Sequence, residues 1–128
     1  MNPESWLWLK ELAISIPAAA LFVVIMSRLK EPLRFELNVL LAGGAAATYL
    51  SGDLGHWELV YMVLATSIAL MAIRRRSYPW IGVAWLLHTC WDTVHHFADS
   101  PLWRLHETSS AGCACFDALI ALWFFMGA

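Results

Sequence analysis

The feature of this sequence that could carry chemistry is a run of ionisable side chains inside an apolar segment. The letters HTCWDTVHH begin at His88, and Asp99 follows shortly after them. On an α-helix of about 3.6 residues per turn, residues spaced by four and by seven lie on one face. His88, Asp92 and His95 therefore share a stripe that Asp99 would extend. His96 lies at the edge of that stripe.

These residue types suit a metal ion. Imidazole and carboxylate groups are ligands for Zn²⁺ and for non-haem Fe, with Cu as a further option. One charged residue in the last apolar segment could complete the site, so the predicted metal ligands are His88, Asp92, His95, His96 and Asp117. In an enzyme built on such a site, Asp92 and Asp117 are the predicted catalytic residues, as ligands or as the base that activates bound water or dioxygen.

Two other interpretations of the same residues stay open. Chains of His and Asp side chains inside membrane proteins also relay protons or form ion paths, without any metal. A third interpretation is a structural hydrogen-bond network that ties helices together. In every case the stripe must face the protein interior or a wet cavity, because ionisable groups are costly to place against lipid.

The elements that position these residues are predicted to be transmembrane helices. Hydrophobic residues make up 60% of the 128 residues and charged residues 14%, whereas a soluble domain has about 25% charged residues. A chain of this length forms one domain, here a single integral membrane domain over residues 1–128. Eight tryptophans suit the aromatic belts of a bilayer. The net charge of −2 excludes a nucleic-acid-binding face.

Five apolar segments can be distinguished along the chain. The predicted fold is all-α, a polytopic transmembrane helical bundle of five spans, or of four spans and one re-entrant segment. A span needs about 20 residues, so most segments must include flanking residues. Pro17 predicts a kink in the first helix. The segments are residues 12–27, 37–51, 59–73, 79–98 and 111–127.

The charged loops predict the orientation of the chain. One loop carries its Lys and Arg residues between positions 28 and 34, and another carries three arginines at 74–76. Cationic loops stay cytoplasmic, and five spans place both loops on the same side. The N-terminus is then outside and the C-terminus in the cytoplasm. Asp92 and Asp117 reach a common depth of roughly 10 Å below the outer interface, from the rise per residue.

The second segment contains a face of small residues, Gly43, Gly44 and Ala47. Such a face lets helix backbones approach closely. Packing within the chain and a homo-oligomer contact between copies both remain open. Apart from a second copy, membrane lipids are the expected partners.

The sequence resembles a family of small bacterial integral membrane proteins classed as a domain of unknown function. The resemblance lies in the run that begins at His88, in Asp117 and in the stretch Gly55-His56-Trp57. The resemblance covers residues 37–126, and the His/Asp run is its most specific part. It implies a membrane location and a bacterial source, and it implies no activity. With the basic loops, it predicts a multi-pass protein of the bacterial inner membrane.

The leading functional hypothesis is a membrane-embedded metal site in the outer half of the bundle. The protein could be an enzyme that acts on a lipid or another apolar substrate from the outer leaflet, although the sequence leaves open whether it is an enzyme at all. The alternatives are a non-enzymatic carrier or channel for protons or metal ions, and a structural accessory subunit. A transporter needs a route to both sides, and the apolar inner half of the segments disfavours one.

Overall fold

The computed structural model describes residues 2–103 and 106–128, and all the regular structure in these ranges is helical. This confirms the prediction of an all-α fold with five α-helices. A short 3₁₀ helix is added to them between the second and the third. In chain order the elements are α1 (Pro3–Arg28), α2 (Leu33–Ala45), the 3₁₀ helix (Ala46–Ser51), α3 (His56–Arg75), α4 (Tyr78–Phe97) and α5 (Ser109–Phe125).

The first helix is longer than the apolar segment from which it was predicted. It begins at Pro3 because Asn2 caps it, with Oδ1 of Asn2 accepting a hydrogen bond of 2.7 Å from the amide of Ser5. Proline in the first turn also favours a helix start, since its fixed φ suits that position. Pro17 lies inside α1 without interrupting it, and the helix continues to Arg28.

The second predicted segment is divided between two kinds of helix. The α-helix ends at Ala45, and the chain continues as the 3₁₀ helix Ala46–Ser51. A 3₁₀ helix has about three residues per turn, so side chains here follow a different angular spacing from those of α2. As a result Tyr49 is buried while its neighbour Leu50 is 63% exposed.

Helix α4 lies at the centre of the bundle. It packs most extensively on α5, and it also contacts α3 and α2. Gly82 allows the close α4–α5 approach, because a β-carbon there would lie 3.0 Å from Cβ of Phe124. Helix α1 packs mainly on α5 through a narrow stripe of buried residues at spacings of four, namely Glu11, Ser15 and Ala19.

Small side chains fill the helix contacts, and large aliphatic ones lie outside. The buried residues include many alanines: Ala19, Ala42, Ala46, Ala65, Ala69, Ala72, Ala84, Ala111, Ala114 and Ala121. The exposed residues of α1 and α3 include Leu9, Ile14, Ile16, Leu21, Val24, Ile25, Leu59, Val60, Val63, Leu64, Leu70 and Ile73. Within the described ranges, α1 and α3 are the two helices both long and apolar enough to cross a membrane, and α5 is a shorter apolar helix.

The small-residue face of α2 is split between the interior and the surface. Gly43 faces α3, where a β-carbon on it would make ordinary contact with Cβ of Ala69 at 3.7 Å. Gly44 and Ala47 are exposed. A homo-oligomer contact through this face stays a prediction. Of its three residues, Gly44 and Ala47 are exposed and could form that contact.

The two ends of the bundle differ in character. Both basic loops lie at the end of the bundle where α1 and α3 finish. The guanidinium of Arg34 lies 5.2 Å from the ring centre of Tyr78, and the guanidinium of Arg76 lies 5.6 Å from the ring centre of Phe35. We call this the basic end. The opposite end, where α4 finishes and α5 begins, is called the cluster end. An apolar core that includes Ile81, Ile120 and Phe124 fills the half nearer the basic end.

Candidate functional site

The ionisable stripe of α4 faces the interior of the bundle, as expected. His88, Asp92 and His95 are at most 1% exposed, and Asp117 of α5 is 7% exposed. Asp99 does not extend the stripe, because α4 ends at Phe97 and Asp99 has a left-handed backbone (φ 50°) and is exposed. Three residues from other elements join the buried groups. We call the whole set the polar cluster: Tyr49, Glu58, Tyr61, His88, Asp92, His95 and Asp117.

Both ring nitrogens of His88 have partners in the protein. Nε2 lies 2.8 Å from the carbonyl oxygen of Ala42. Because a carbonyl can only accept, Nε2 must carry the hydrogen. Nδ1 lies at hydrogen-bond distance from the hydroxyl of Tyr61. In the neutral imidazole Nδ1 is therefore the acceptor, and Tyr61 donates to it. His88 thus ties α4 to α2 and α3.

Asp92 and Asp117 bring two carboxyl groups side by side. The hydroxyl of Tyr49, from the 3₁₀ helix, donates to Oδ1 of Asp92. Asp117 of α5 is buried in the same part of the interior, where its carboxyl group interacts electrostatically with that of Asp92. In this conformation Oδ2 of Asp92 has no partner of ordinary hydrogen-bond geometry among residues 2–103 and 106–128. The two acids are therefore neighbours that do not yet share a well-formed hydrogen bond.

His95 forms a pair with Glu58 of α3. Its Nδ1 lies 2.8 Å from the carbonyl of Ser100, so Nδ1 carries a hydrogen. Its Nε2 lies 3.0 Å from Oε1 of Glu58, an ion-pair distance whose angle departs from that of a good hydrogen bond. The short distance lets each group offset part of the cost of burying the other.

Glu58 is fixed in position by its surroundings. Its Oε2 accepts a hydrogen bond of 3.0 Å from the indole of Trp91, and its Oε1 accepts a weaker one of 3.4 Å from the amide of Leu54. Gly52 makes room for the carboxylate, since a β-carbon there would collide with Oε1 and lie 2.6 Å from Cδ. The absence of a side chain at position 52 is thus required for the Glu58–His95 pair.

His96 lies apart from the other histidines, outside the polar cluster. Its Nε2 is 2.9 Å from Oε1 of Glu4, near the start of α1. The same carboxylate oxygen accepts a hydrogen bond of 2.7 Å from the indole of Trp8, whose ring meets the His96 ring edge-on at 5.1 Å. His96 therefore joins α4 to α1 at the surface. The structure does not bring it to Asp92 or Asp117.

The arrangement in this conformation suits hydrogen bonding better than metal binding. The nitrogens of His88 and His95 all face protein groups, so an ion would have to displace those partners. Among the residues that the structure describes, there is no group of three or more His, Cys, Asp or Glu side chains arranged to hold a metal ion. A metal bound to His88, Asp92, His95 and Asp117 stays a prediction from the sequence that would require these side chains to move.

Two cavities reach the polar cluster. One, of about 390 Å³, lies at the cluster end and is lined by polar residues that include His95, Asp99 and Glu107. We call it the vestibule. The other, of about 220 Å³, lies beside Asp117 and is lined by Tyr49, Trp85, His88, Cys113, Phe116 and Asp117, among others. We call it the inner cavity. His95 thus lies between an opening at the surface and the carboxyl pair.

One protein family, DUF6010, described as a family of unknown function, matches residues 10–128 of the chain. The chain belongs to DUF6010. The match includes every residue of the polar cluster, whereas Glu4, the partner of His96, lies before it. Comparison of this DUF6010 chain with the curated proteins and with the solved structures found no match.

Tyr49, Glu58 and Tyr61 have no role in the prediction made from the sequence. The burial of Glu58 and Tyr61 could have been predicted from their spacing in the sequence. Glu58, Tyr61 and Ala65 follow the spacing of one helical face, and all three are buried on α3. A buried acid in that position needs a partner, and the nearest stripe of basic side chains was that of α4.

Proposed function

We propose that this DUF6010 chain is an integral membrane protein whose polar cluster binds protons, and that it acts as a non-enzymatic proton carrier. The membrane part of the proposal is supported by the distribution of side-chain size. Alanines line the helix contacts while large aliphatic residues cover the outside of α1 and α3, and membrane helices pack through small residues because lipid is as apolar as leucine. The two basic loops lie at one end, as a membrane orientation requires.

The observation that carries the proton-binding part is the burial of Asp92 and Asp117 where their carboxyl groups interact electrostatically. Two carboxylates this close, and away from water, repel each other strongly, so a single shared proton stabilises the pair. Asp92 already has an environment that suits such sharing. The hydroxyl of Tyr49 donates to Asp92 Oδ1, which leaves Oδ2 of Asp92 available to Asp117.

The route by which a proton would reach this pair follows from the order of the groups along α4. Protons enter from the vestibule, where His95 and its partner Glu58 are the first buried acid–base groups. Asp92 is three residues before His95, or about 4.5 Å deeper along the helix axis. The ring of Tyr49 lies against the ring of His95 at 5.2 Å while its hydroxyl donates to Asp92. Rotation of one side chain, or a bridging water, would complete the transfer.

The carrier part of the proposal requires a second conformation, because the bundle is open at one end and closed at the other. The cluster is reached from the vestibule at one end, whereas the apolar core that includes Ile81, Ile120 and Phe124 closes the other half. Alternating-access carriers hold a site near the middle of the membrane and open it to one side at a time. In such a carrier, the present conformation would be the state that is open toward the cluster end.

Infrared spectroscopy tests proton binding directly. We expect the protein in mild detergent to show a C=O stretching band of a protonated carboxylic acid that shifts in heavy water. Asp92→Asn and Asp117→Asn should each shift this band, because each changes the partner of the protonated acid, and the double variant, which removes both buried acids, should abolish it. Asp99→Asn, a change at an exposed acid outside the cluster, should keep it. Two fully ionised acids at every pH at which the protein is folded would refute the proposal.

Transport is tested in sealed vesicles that contain the purified protein and a pH-sensitive dye. After a pH jump, the wild-type protein should equilibrate protons faster than empty vesicles do, and Asp92→Asn should reduce that rate at least about tenfold, the effect of losing an essential proton-transfer group. If the infrared band is present and vesicles show no flux, the chain binds protons without carrying them.

A further inference from the structure

A buried carboxylate on α1 lies outside the polar cluster. Glu11 is 5% exposed and points toward α5. Its Oε1 has no hydrogen-bond partner within residues 2–103 and 106–128. The ammonium of Lys10 lies 3.9 Å from this oxygen, which is an ion-pair distance beyond hydrogen-bond reach, and the Lys10 side chain is largely exposed. A buried carboxylate oxygen without a donor is costly to maintain.

Glu11 lines a cavity of about 200 Å³ between α1 and α5. Aromatic groups of Trp103 and Phe116 form part of its wall, and His106 lies at its exposed rim. The hydroxyl of Ser15 lines it too but already donates to the carbonyl of Gly112, at 3.2 Å. Glu11 is thus the acidic group in the cavity wall among the residues that the structure describes.

Gly112 of α5 keeps the space beside this carboxylate open. A β-carbon at position 112 would lie 3.0 Å from Oε2 of Glu11, closer than ordinary packing allows. The cavity also continues toward the inner cavity, since Trp103, Cys113 and Phe116 line both. A ligand anchored at Glu11 could therefore extend an apolar body toward Cys113.

We propose that this cavity binds a primary ammonium group carried by an apolar or aromatic molecule. An ammonium supplies N–H donors to the Glu11 carboxylate, and a charge-assisted hydrogen bond in an apolar site is about twice as strong as a neutral one. The aromatic faces of Trp103 and Phe116 attract a cation in addition. This site is separate from the Asp92–Asp117 pair, and ligand binding to it does not require proton transport.

Calorimetric titration of the purified protein in mild detergent with 2-phenylethylamine tests the site, at a pH where the amine is charged. We expect saturable binding of one equivalent. Glu11→Gln, which keeps the shape and removes the charge, should weaken it by about tenfold to a hundredfold, the range of one charged hydrogen bond. Glu36→Gln, a matched change at an exposed acid near the basic end, should leave affinity unchanged.

A neutral probe of the same shape separates charge recognition from simple filling of an apolar space. We expect 2-phenylethanol to bind at least about tenfold more weakly than the amine. Equal affinity for the two probes, or full affinity in Glu11→Gln, would overturn the proposal. Should Glu11→Gln fail to fold, Gly112→Ala replaces it. That change keeps the acid but crowds it, and unchanged affinity for the amine would then count against the site.

Thiol protection locates the bound amine. In a Cys90→Ala, Cys115→Ala background, Cys113 is the remaining cysteine, and 2-phenylethylamine should slow its reaction with N-ethylmaleimide. Unchanged labelling at saturating amine would place the ligand elsewhere. A primary ammonium could come from a free amine or from a lipid headgroup. Ethanolamine phospholipid in nanodiscs should weaken the apparent affinity for the probe if the headgroup is the natural ligand, and should not if it is a free amine.

Discussion

Oε1 of Glu58 lies 3.0 Å from Nε2 of His95 across the contact between α3 and α4, and both side chains are almost completely enclosed. Removing one member of a buried pair leaves the other without its partner, at a cost of about 3–5 kcal/mol. We therefore expect Glu58→Ala and His95→Ala each to lower the free energy of unfolding by about that amount. The measurement is denaturant unfolding in mild detergent.

A double-mutant cycle isolates the contribution of the pair itself. The double variant should be less destabilised than the sum of the two single variants, by about 0.5–3 kcal/mol for residues in contact. Glu36→Ala, at an exposed position on α2, serves as the control and should change stability by no more than about 0.5 kcal/mol. Strict additivity of Glu58→Ala and His95→Ala would show that the two groups do not interact.

Gly52→Ala should disrupt the same pair without touching either partner. The added β-carbon would occupy the position of the Glu58 carboxylate, which cannot move without losing His95 and Trp91. Overpacking of this kind costs about 1–3 kcal/mol, which would appear as a lower thermal midpoint. Gly44→Ala is the matched control, because among described residues nothing lies within 4 Å of its added carbon. It should be neutral or raise stability by about 0.5–1 kcal/mol, as in other helices.

The orientation of the chain can be measured with reporters. Both basic loops lie at the end of the bundle where Ala128 packs against the apolar core, and basic loops stay cytoplasmic. A reporter that is active only in the cytoplasm should therefore be active when fused after Ala128. The same reporter fused before Met1 should be silent. Activity of the N-terminal fusion alone would reverse the proposed topology.

Elemental analysis separates the metal hypothesis from the proton-binding proposal. A metal bound by His88, Asp92, His95 and Asp117 would give about one or two equivalents of transition metal in protein purified without chelator, and Asp92→Asn would lose most of it. Proton binding at the carboxyl pair instead predicts far less than one equivalent in the wild type. The control is a circular dichroism spectrum, which should be helical in both samples and so show that the protein is folded.

The helical period predicted much of the site because it needs only local sequence. A spacing of four and seven residues placed His88, Asp92 and His95 on one inward face, and the antiparallel course of α4 and α5 placed Asp117 beside Asp92. Asp99 was assigned wrongly to the stripe, because nothing in the spacing shows that α4 ends at Phe97.

The partners of these residues could not be predicted in the same way. Glu58 and Tyr61 reach α4 from α3 through packing between helices, which local sequence does not specify. Tyr49 is buried because α2 gives way to a 3₁₀ helix, a change in helix type that the apolar pattern of residues 37–51 does not reveal. His96 lies outside the site and contacts Glu4, which is more than ninety positions away in the chain.

The vestibule and the apolar core lie in opposite halves of the bundle, and this arrangement determines which proton-transfer step would depend on the membrane voltage. If the chain spans a bilayer, the vestibule brings water close to His95, so most of the potential drop falls across the apolar half around Ile81 and Phe124. Moving one charge through the full potential changes its energy by about 2.3 kcal/mol per 100 mV. Protonation of the polar cluster from the vestibule would thus depend little on voltage, whereas release of the proton toward the basic end would depend on nearly all of it.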